Sequence, residues 1–330
     1  MIRIGLLGCG RIGQVHARTI KGLESAHVVA VADAMPEAAL SLANQIGAEV
    51  RDTDAILSGS DIDAVVIGTP TNTHFEQIHA ATEASKAIFC EKPVDMSVEN
   101  IRKLMEGVRR ANVPFFTAFN RRFDPNFADL QAQIQAGTIG AVELVQITSR
   151  DPSPPPIGYI KSSGGLFRDM MIHDFDMARF LVGEEFVRLS AVGSCLVDPD
   201  IGAAGDIDTA SVTLTTAAGK ICTITNSRRA AYGYDQRIEV HGADGMLRAE
   251  NILETSVERA TAQGFQKAPT MHFFLERYEA AYRAEMVAFI DALQNKGRIS
   301  PDIEDGLRAQ MLADAAAHSL ETGRAVEIAP

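Results

Sequence analysis

Three groups of residues in this chain have the type and spacing to do chemistry. The first is Gly8-Cys9-Gly10-Arg11-Ile12-Gly13, entered from the apolar run Ile2-Arg3-Ile4-Gly5-Leu6-Leu7. Asp33 closes a second apolar run, His27-Val28-Val29-Ala30-Val31-Ala32. A strand turning through glycines into a helix offers unpaired N–H groups, and the positive end of the helix dipole, to a pyrophosphate. Gly8 serves the tight turn, Gly10 the approach of the diphosphate and Gly13 close packing, while a carboxylate about twenty residues on accepts from the ribose hydroxyls. Asp33 is followed by Ala34-Met35-Pro36. With no Arg or Lys to meet a 2′-phosphate, the pattern implies NAD rather than NADP.

The second group is Lys92, in Glu91-Lys92-Pro93 after the apolar run Ala87-Ile88-Phe89-Cys90. An ammonium at the carboxyl end of such a strand can hold a substrate hydroxyl and stabilise its alkoxide; an ordinary solvated lysine is the other reading. The third is Gly164-Gly165-Leu166-Phe167-Arg168-Asp169-Met170-Met171-Ile172-His173-Asp174-Phe175-Asp176. Asp169 and His173, four apart, share one helix face. A carboxylate there raises the basicity of the imidazole and orients it as a general base. The alternatives are a helix-start carboxylate with a core histidine, or a metal site that adds Asp174 and Asp176. No distant His or Cys cluster completes a ligand set, so no metal is expected.

The elements that must position these groups follow from patterning. Residues 64–68 and 87–90 are unbroken apolar runs that suit strands buried on both faces, and helical stretches at 36–46, 73–85 and 97–111 alternate with them. This implies a doubly wound parallel sheet ending near Asn120. Its strand ends carry Thr69, Pro70, Asn72 and His74, then Glu91 and Lys92, where ligands of such sheets bind. Beyond it, a helix over 127–136, the Pro154-Pro155-Pro156 loop and a helix over 167–181 precede strands at 189–196, 209–215, 221–226, 236–241 and 246–250. Hairpin turns at Ala217-Ala218-Gly219 and Gly242-Ala243-Asp244-Gly245 make that sheet largely antiparallel, and helices over 275–293 and 303–320 close the chain. The expected domains are 1–120 for NAD and 121–330 for substrate and oligomerisation, with the closing helices packing back on the first.

Length and charge narrow the partners. The 330 residues suit two domains, and 31 basic against 43 acidic residues give a net charge of −12. Nucleic acid and anionic membranes are disfavoured by that charge. Cys9, Cys90, Cys195 and Cys222 lack CxxC spacing, which excludes zinc and disulfide frameworks. No leader pattern and no apolar run of membrane-spanning length stand out, so a cytoplasmic protein is expected.

Gly8–Gly13, Thr69-Pro70-Thr71-Asn72-Thr73-His74, Glu91-Lys92-Pro93 and Gly164-Gly165…Asp169…His173, in this order, resemble the Gfo/Idh/MocA oxidoreductase family over essentially the whole chain. Asn120-Arg121-Arg122-Phe123-Asp124, Arg150-Asp151-Pro152 and Tyr232-Gly233-Tyr234-Asp235 are most similar to its inositol-oxidising branch. The resemblance implies NAD-dependent oxidation of a cyclic polyol hydroxyl to a ketone, with Lys92 and His173 catalytic and Asp169 tuning them. It implies cofactor contacts at Gly8, Gly10, Arg11, Ile12, Gly13, Asp33, Thr69, Pro70, Asn72, His74, Glu91 and Lys92. Substrate contacts are implied at Lys92, Asn120, Arg121, Asp151, Asp169, His173 and Tyr232, and a homotetramer assembled through the second-domain sheet.

Departures from the family pattern bear on the substrate. Asn120 stands where many inositol-oxidising members have methionine, and the three prolines sit in the expected substrate loop. His318 occupies a place usually small or apolar. It reads either as a partly buried helix histidine or as a substrate contact reaching a neighbouring subunit. A pyranose dehydrogenase acting at the anomeric carbon and a non-catalytic NAD-sensing regulator are the competing functions.

Overall fold

The computed structural model describes residues 1–328, which divide into two compact units: Met1–Phe123 with Ala281–Gln310, and Asp124–Ala280 with Met311 onward. In the first unit six strands are β1 (Ile2–Leu7), β2 (Ala26–Ala32), β3 (Glu49–Val50), β4 (Ala64–Ile67), β5 (Ala87–Cys90) and β6 (Phe115–Thr117). They form one all-parallel sheet ordered β3-β2-β1-β4-β5-β6. The order reverses between β1 and β4, the point where doubly wound sheets open a ligand crevice at their carboxyl ends. Val66, paired with Leu6 and Phe89, is wholly buried, as strands covered on both faces must be. Residues 281–310 complete this core: Phe289 meets Phe89 and Phe116 edge-on at 5.5 and 5.8 Å.

Local chemistry sets the helix ends. Pro36 opens the helix Pro36–Ile46 and Gly47, at φ +78°, ends it. Ser97 caps Val98–Ala111 by accepting from the Asn100 N–H at 3.3 Å.

The second unit holds β7 (Val142–Arg150), β8 (Phe186–Ser194), β9 (Thr209–Thr216), β10 (Ile221–Ser227), β11 (Asp235–Gly242), β12 (Gly245–Ala249), the hairpin β13 (Glu258–Thr261) and β14 (Gly264–Lys267), and β15 (Val326–Glu327). Seven of them are ordered β12-β11-β7-β10-β9-β8-β15, antiparallel except for the β7–β10 pair. Alternation sorts the faces. Ala210, Val212, Leu214, Cys222 and Ile224 are buried, whereas the alternating Ser211, Thr223 and Thr225 are half-buried and Thr213 is exposed. The helix Ile172–Val182 packs on β7 and β10.

One expected element differs. The helix over 167–181 is broken into Gly165–Asp169 and Ile172–Val182. Both Met170 N–H and Met171 N–H reach the Leu166 carbonyl, at 3.0 Å each. The second of these spans five residues, a one-residue π-type bulge of the kind that collects at functional sites. Asp169 and His173 therefore flank a bulge rather than sharing one regular helical face.

Candidate active site

The glycines of the first unit divide their work by what surrounds them. Gly8 sits at φ +96°, and a Cβ there would lie 2.6 Å from the Gly68 carbonyl; a Cβ on Gly13 would lie 1.9 Å from the Gly8 oxygen. Both must be glycine for the loop to close on β4 and on the helix Arg11–Lys21. Gly10 has nothing within 4 Å of its Cβ position. The space at Gly10 and the first turn of that helix, which contains no acidic residue, fit a pyrophosphate. Asp33 is fixed by two backbone donors, Cys9 N–H to Oδ2 at 2.6 Å and Met35 N–H to Oδ1 at 2.8 Å. Its remaining lone pairs suit ribose hydroxyls, so the residues present fit an NAD dinucleotide. Burial, helped by Asp33, pushes the Cys9 thiol up to about 11, so it remains a protonated packing group.

After β4, Pro70 and Asn72 are exposed. Thr69 and Thr73 are hydroxyl-bonded at 2.9 Å, and Thr69 donates to Gln77 at 2.7 Å. His74 is only 1% exposed. Its two ring nitrogens lie 3.0 Å from the Pro93 and Thr69 carbonyls, and burial pulls its pKa down. Its place is inside the wall, tying the β4 loop to the β5 loop. Glu91 receives His16 Nε2 at 2.7 Å on one oxygen and the Lys92 N–H at 3.3 Å on the other. Lys92 is half-buried beside it, and Asn120 and Arg121 are buried in the short turn Asn120–Phe123.

In the second unit Asp169 accepts from the Tyr159 hydroxyl at 2.8 Å and from both terminal nitrogens of Arg228 at 3.3 and 3.4 Å. Arg228 is 1% exposed and also lies 3.5 Å from Asp206. Asp206 accepts from Leu166 N–H at 3.0 Å, an approach possible because Gly165 has no side chain: its Cβ would stand 2.8 Å from that carboxylate. His173 is half-buried in the first turn of Ile172–Val182. Asp174 accepts from Asn226 at 2.9 Å and Asp176 is wholly buried. Among the described residues no three His, Cys, Asp or Glu side chains gather to hold a metal.

The remaining substrate candidates are dispersed. Asp151, half-buried, follows β7 with its N–H on the Ser227 carbonyl at 3.0 Å. The Tyr232 hydroxyl donates to Asp235 at 2.6 Å and accepts from Arg150 at 2.7 Å. Burial, then the Asp235 hydrogen bond, pushes its phenol upward. His318 is exposed, 4.0 Å from Glu321 of its own helix. This corrects its reading as a partly buried residue: Ala316 and Ser319 take the inward positions, Ser319 bonding the Ala191 N–H at 2.9 Å, and His318 is turned out between them.

Residues 2–119 match the oxidoreductase family with an NAD-binding Rossmann fold, and residues 127–248 match the GFO/IDH/MocA C-terminal domain. The chain belongs to the Gfo/Idh/MocA family. An inositol 2-dehydrogenase of Rhizobium meliloti (strain 1021) is 53% identical, with 99% of each chain covered. The crystal structure of a myo-inositol dehydrogenase from Corynebacterium glutamicum superposes with a TM-score of 0.95 at 43% identity, covering 100% of this chain and 99% of that one. A scyllo-inositol dehydrogenase from Lactobacillus casei, solved with bound NAD(H) and scyllo-inositol, gives a TM-score of 0.94 at 30% identity and covers 100% of both chains.

This Gfo/Idh/MocA member thus carries parts that reading its sequence missed. Arg228 and Tyr159 hold Asp169, and Asp206 shares Arg228 with it. Arg228 follows β10 in Ser227-Arg228-Arg229-Ala230, where nothing in the spacing separates a buried arginine from a solvated one. His16 was detectable: it is the lone polar side chain on the helix face of Gly13, Ala17 and Ile20.

Proposed function

We propose that the chain catalyses the NAD-dependent oxidation of one secondary hydroxyl of an inositol to the corresponding inosose. The observation that carries this is full-length likeness to inositol dehydrogenases at up to 53% identity, together with the glycine cradle and Asp33. Bound NAD supplies the nicotinamide that accepts the hydride. His173 takes the hydroxyl proton as the C–H bond breaks, so one proton and one hydride leave and a ketone forms. Lys92 donates a hydrogen bond to the developing alkoxide. Asp169, steadied by Arg228 and Tyr159, orients this acid–base pair. Asn120, Arg121 and Asp151 grip other ring hydroxyls, since a polyol lacking one of them leaves a site group unpaired.

The proposal includes a homotetramer built on the open sheet face, supported by the exposed Val192 (66%) and Ile221 (40%) on it. In that assembly His318 reaches a neighbouring subunit's substrate. A cytoplasmic location is supported by the use of NAD and by four free cysteines, which suit a reducing compartment. Among the described residues no helix is long and apolar enough to cross a membrane. A panel of inositols and pyranoses with NAD, followed by NADH absorbance and product analysis, tests the function. Inosose formation is expected; turnover confined to pyranoses with a lactone product, or no turnover, refutes it.

A further inference from the structure

His16 is wholly buried, yet it is a polar side chain among Gly13, Ala17 and Ile20 on the inward face of the helix Arg11–Lys21. Its ring is wedged edge-on against Phe89 at 5.0 Å and Tyr282 at 6.0 Å. Nε2 lies 2.7 Å from Glu91, while Nδ1 is buried with no hydrogen-bond partner. An apolar ring would fill the same space without desolvating an unpaired nitrogen, which carries a cost. Packing alone therefore does not account for an imidazole here. Glu91 is the residue before Lys92, and its second carboxylate oxygen accepts the Lys92 N–H at 3.3 Å. One carboxylate thus joins the pyrophosphate-facing helix to the backbone of the lysine loop. On the other side lies Glu285, also wholly buried with neither oxygen hydrogen-bonded, its pKa pushed up first by burial and then by Glu91.

We propose that His16 is a positioning residue for Lys92, acting through Glu91, so that the helix that receives the cofactor also fixes the lysine's place. The ammonium of Lys92 sits at the end of a four-carbon stem, and the clasp holds the backbone from which that stem reaches. A displacement of about 1 Å at a catalytic group can lower a rate by up to ~10²-fold. Because His16 is wholly buried within its helix and packed on Phe89 and Tyr282, its loss is expected to move turnover and leave cofactor affinity in place. The inference rests on the reading of Lys92 as catalytic.

The experiment compares His16→Phe, His16→Gln, Glu91→Ala, the His16→Phe/Glu91→Ala pair and Lys92→Ala. For each, kcat and KM are measured with an inositol and NAD, and the NAD dissociation constant by calorimetry. We expect His16→Phe to lose kcat by about tenfold or more, with NAD affinity and inositol KM within about threefold. His16→Gln, whose amide nitrogen can still donate to Glu91, should recover most of the loss. The double variant should be no slower than Glu91→Ala alone, since one clasp is being removed twice. Wild-type kcat in folded His16→Phe, no rescue by Gln, or parallel loss of kcat and NAD affinity overturns the proposal. If His16→Phe does not fold, His16→Gln and Glu91→Ala decide: near-normal kcat and NAD affinity in Gln with a kcat loss of about tenfold or more in Ala supports it, and any other pattern overturns it. Lys92→Ala separates the two levels. Lost turnover there with normal His16→Phe rejects only the positioning role, whereas normal turnover there rejects both.

Discussion

Replacing Asp33 by Asn tests how the chain chooses its dinucleotide. The carboxylate is a full negative charge held in one place at the end of β2 by the Cys9 and Met35 N–H groups, at 2.6 and 2.8 Å. Its exposed neighbours Ala34 and Met35 carry no charge. A phosphate charge brought within ~4 Å of it meets a repulsion of about 1 kcal/mol in bulk water and about 4 kcal/mol at the effective dielectric of a protein surface. At ~1.4 kcal/mol per factor of ten, this corresponds to a preference for NAD over NADP of roughly 5-fold to 10³-fold. Asn removes the charge but also an acceptor, because one amide oxygen must serve two N–H groups. That local damage falls on both cofactors and cancels in the ratio of their kcat/KM values. The ratio, from initial rates of reduced-cofactor absorbance, should be at least ~10-fold in the parent and shrink by about 5-fold or more in Asp33→Asn. It should also shrink in high salt, since an exposed charge is screened. Equal efficiencies in the parent, or an unchanged ratio in the variant, would refute the electrostatic account.

Lys92→Ala and His173→Ala should each lower turnover by at least ~10²-fold with NAD binding little changed, since neither lies in the glycine loop; near-normal turnover of His173→Ala removes it from the mechanism. Glu285 offers a pH test. Its folded-state pKa is raised well above the ordinary value, first by burial and then by Glu91. Its contribution to stability is therefore full below the unfolded pKa of ~4.3 and is lost as pH rises toward the folded value. Glu285→Gln should be more stable than the parent between about pH 5 and 8, read from urea midpoints, and no gain there contradicts a neutral buried acid. Light scattering at micromolar concentration should give the mass of four chains; a monomer counts against assembly through the open sheet. His318→Ala should raise the inositol KM by a few-fold, on the order of one hydrogen bond of ~1 kcal/mol, with assembly intact, and an unchanged KM returns His318 to the surface.

How legible the fold was depended on where burial leaves a mark in the sequence. β4 and β5 stand out because a parallel strand covered on both faces must be apolar at every position, and β9 and β10 because a half-covered strand must alternate. The hairpin β13–β14 left no such mark: all eight of its residues are exposed, so Glu258-Arg259-Ala260-Thr261 and Gly264-Phe265-Gln266-Lys267 carry no periodicity to read. The break between Asp169 and Ile172 was equally silent, because Met170 and Met171 are good helix formers and the bulge is made by which carbonyl they share.

The site divides along the same line. Glycines announce themselves, since at Gly8 and Gly13 any Cβ collides with backbone, and Asp33 follows from the distance between two strand ends. The groups that steady the chemistry do not, because their partners are remote in the chain. Arg228 meets Asp169 across 59 residues and Asp206 meets Leu166 across 40, while His16 meets Glu91 across 75. A buried arginine with one carboxylate and a buried arginine with two look alike in sequence, yet only the second can hold an acid in place while leaving it exposed enough to act. Asp169 is such an acid: its partner Arg228, shared with Asp206, has 1% side-chain exposure, and its own side chain keeps 13%.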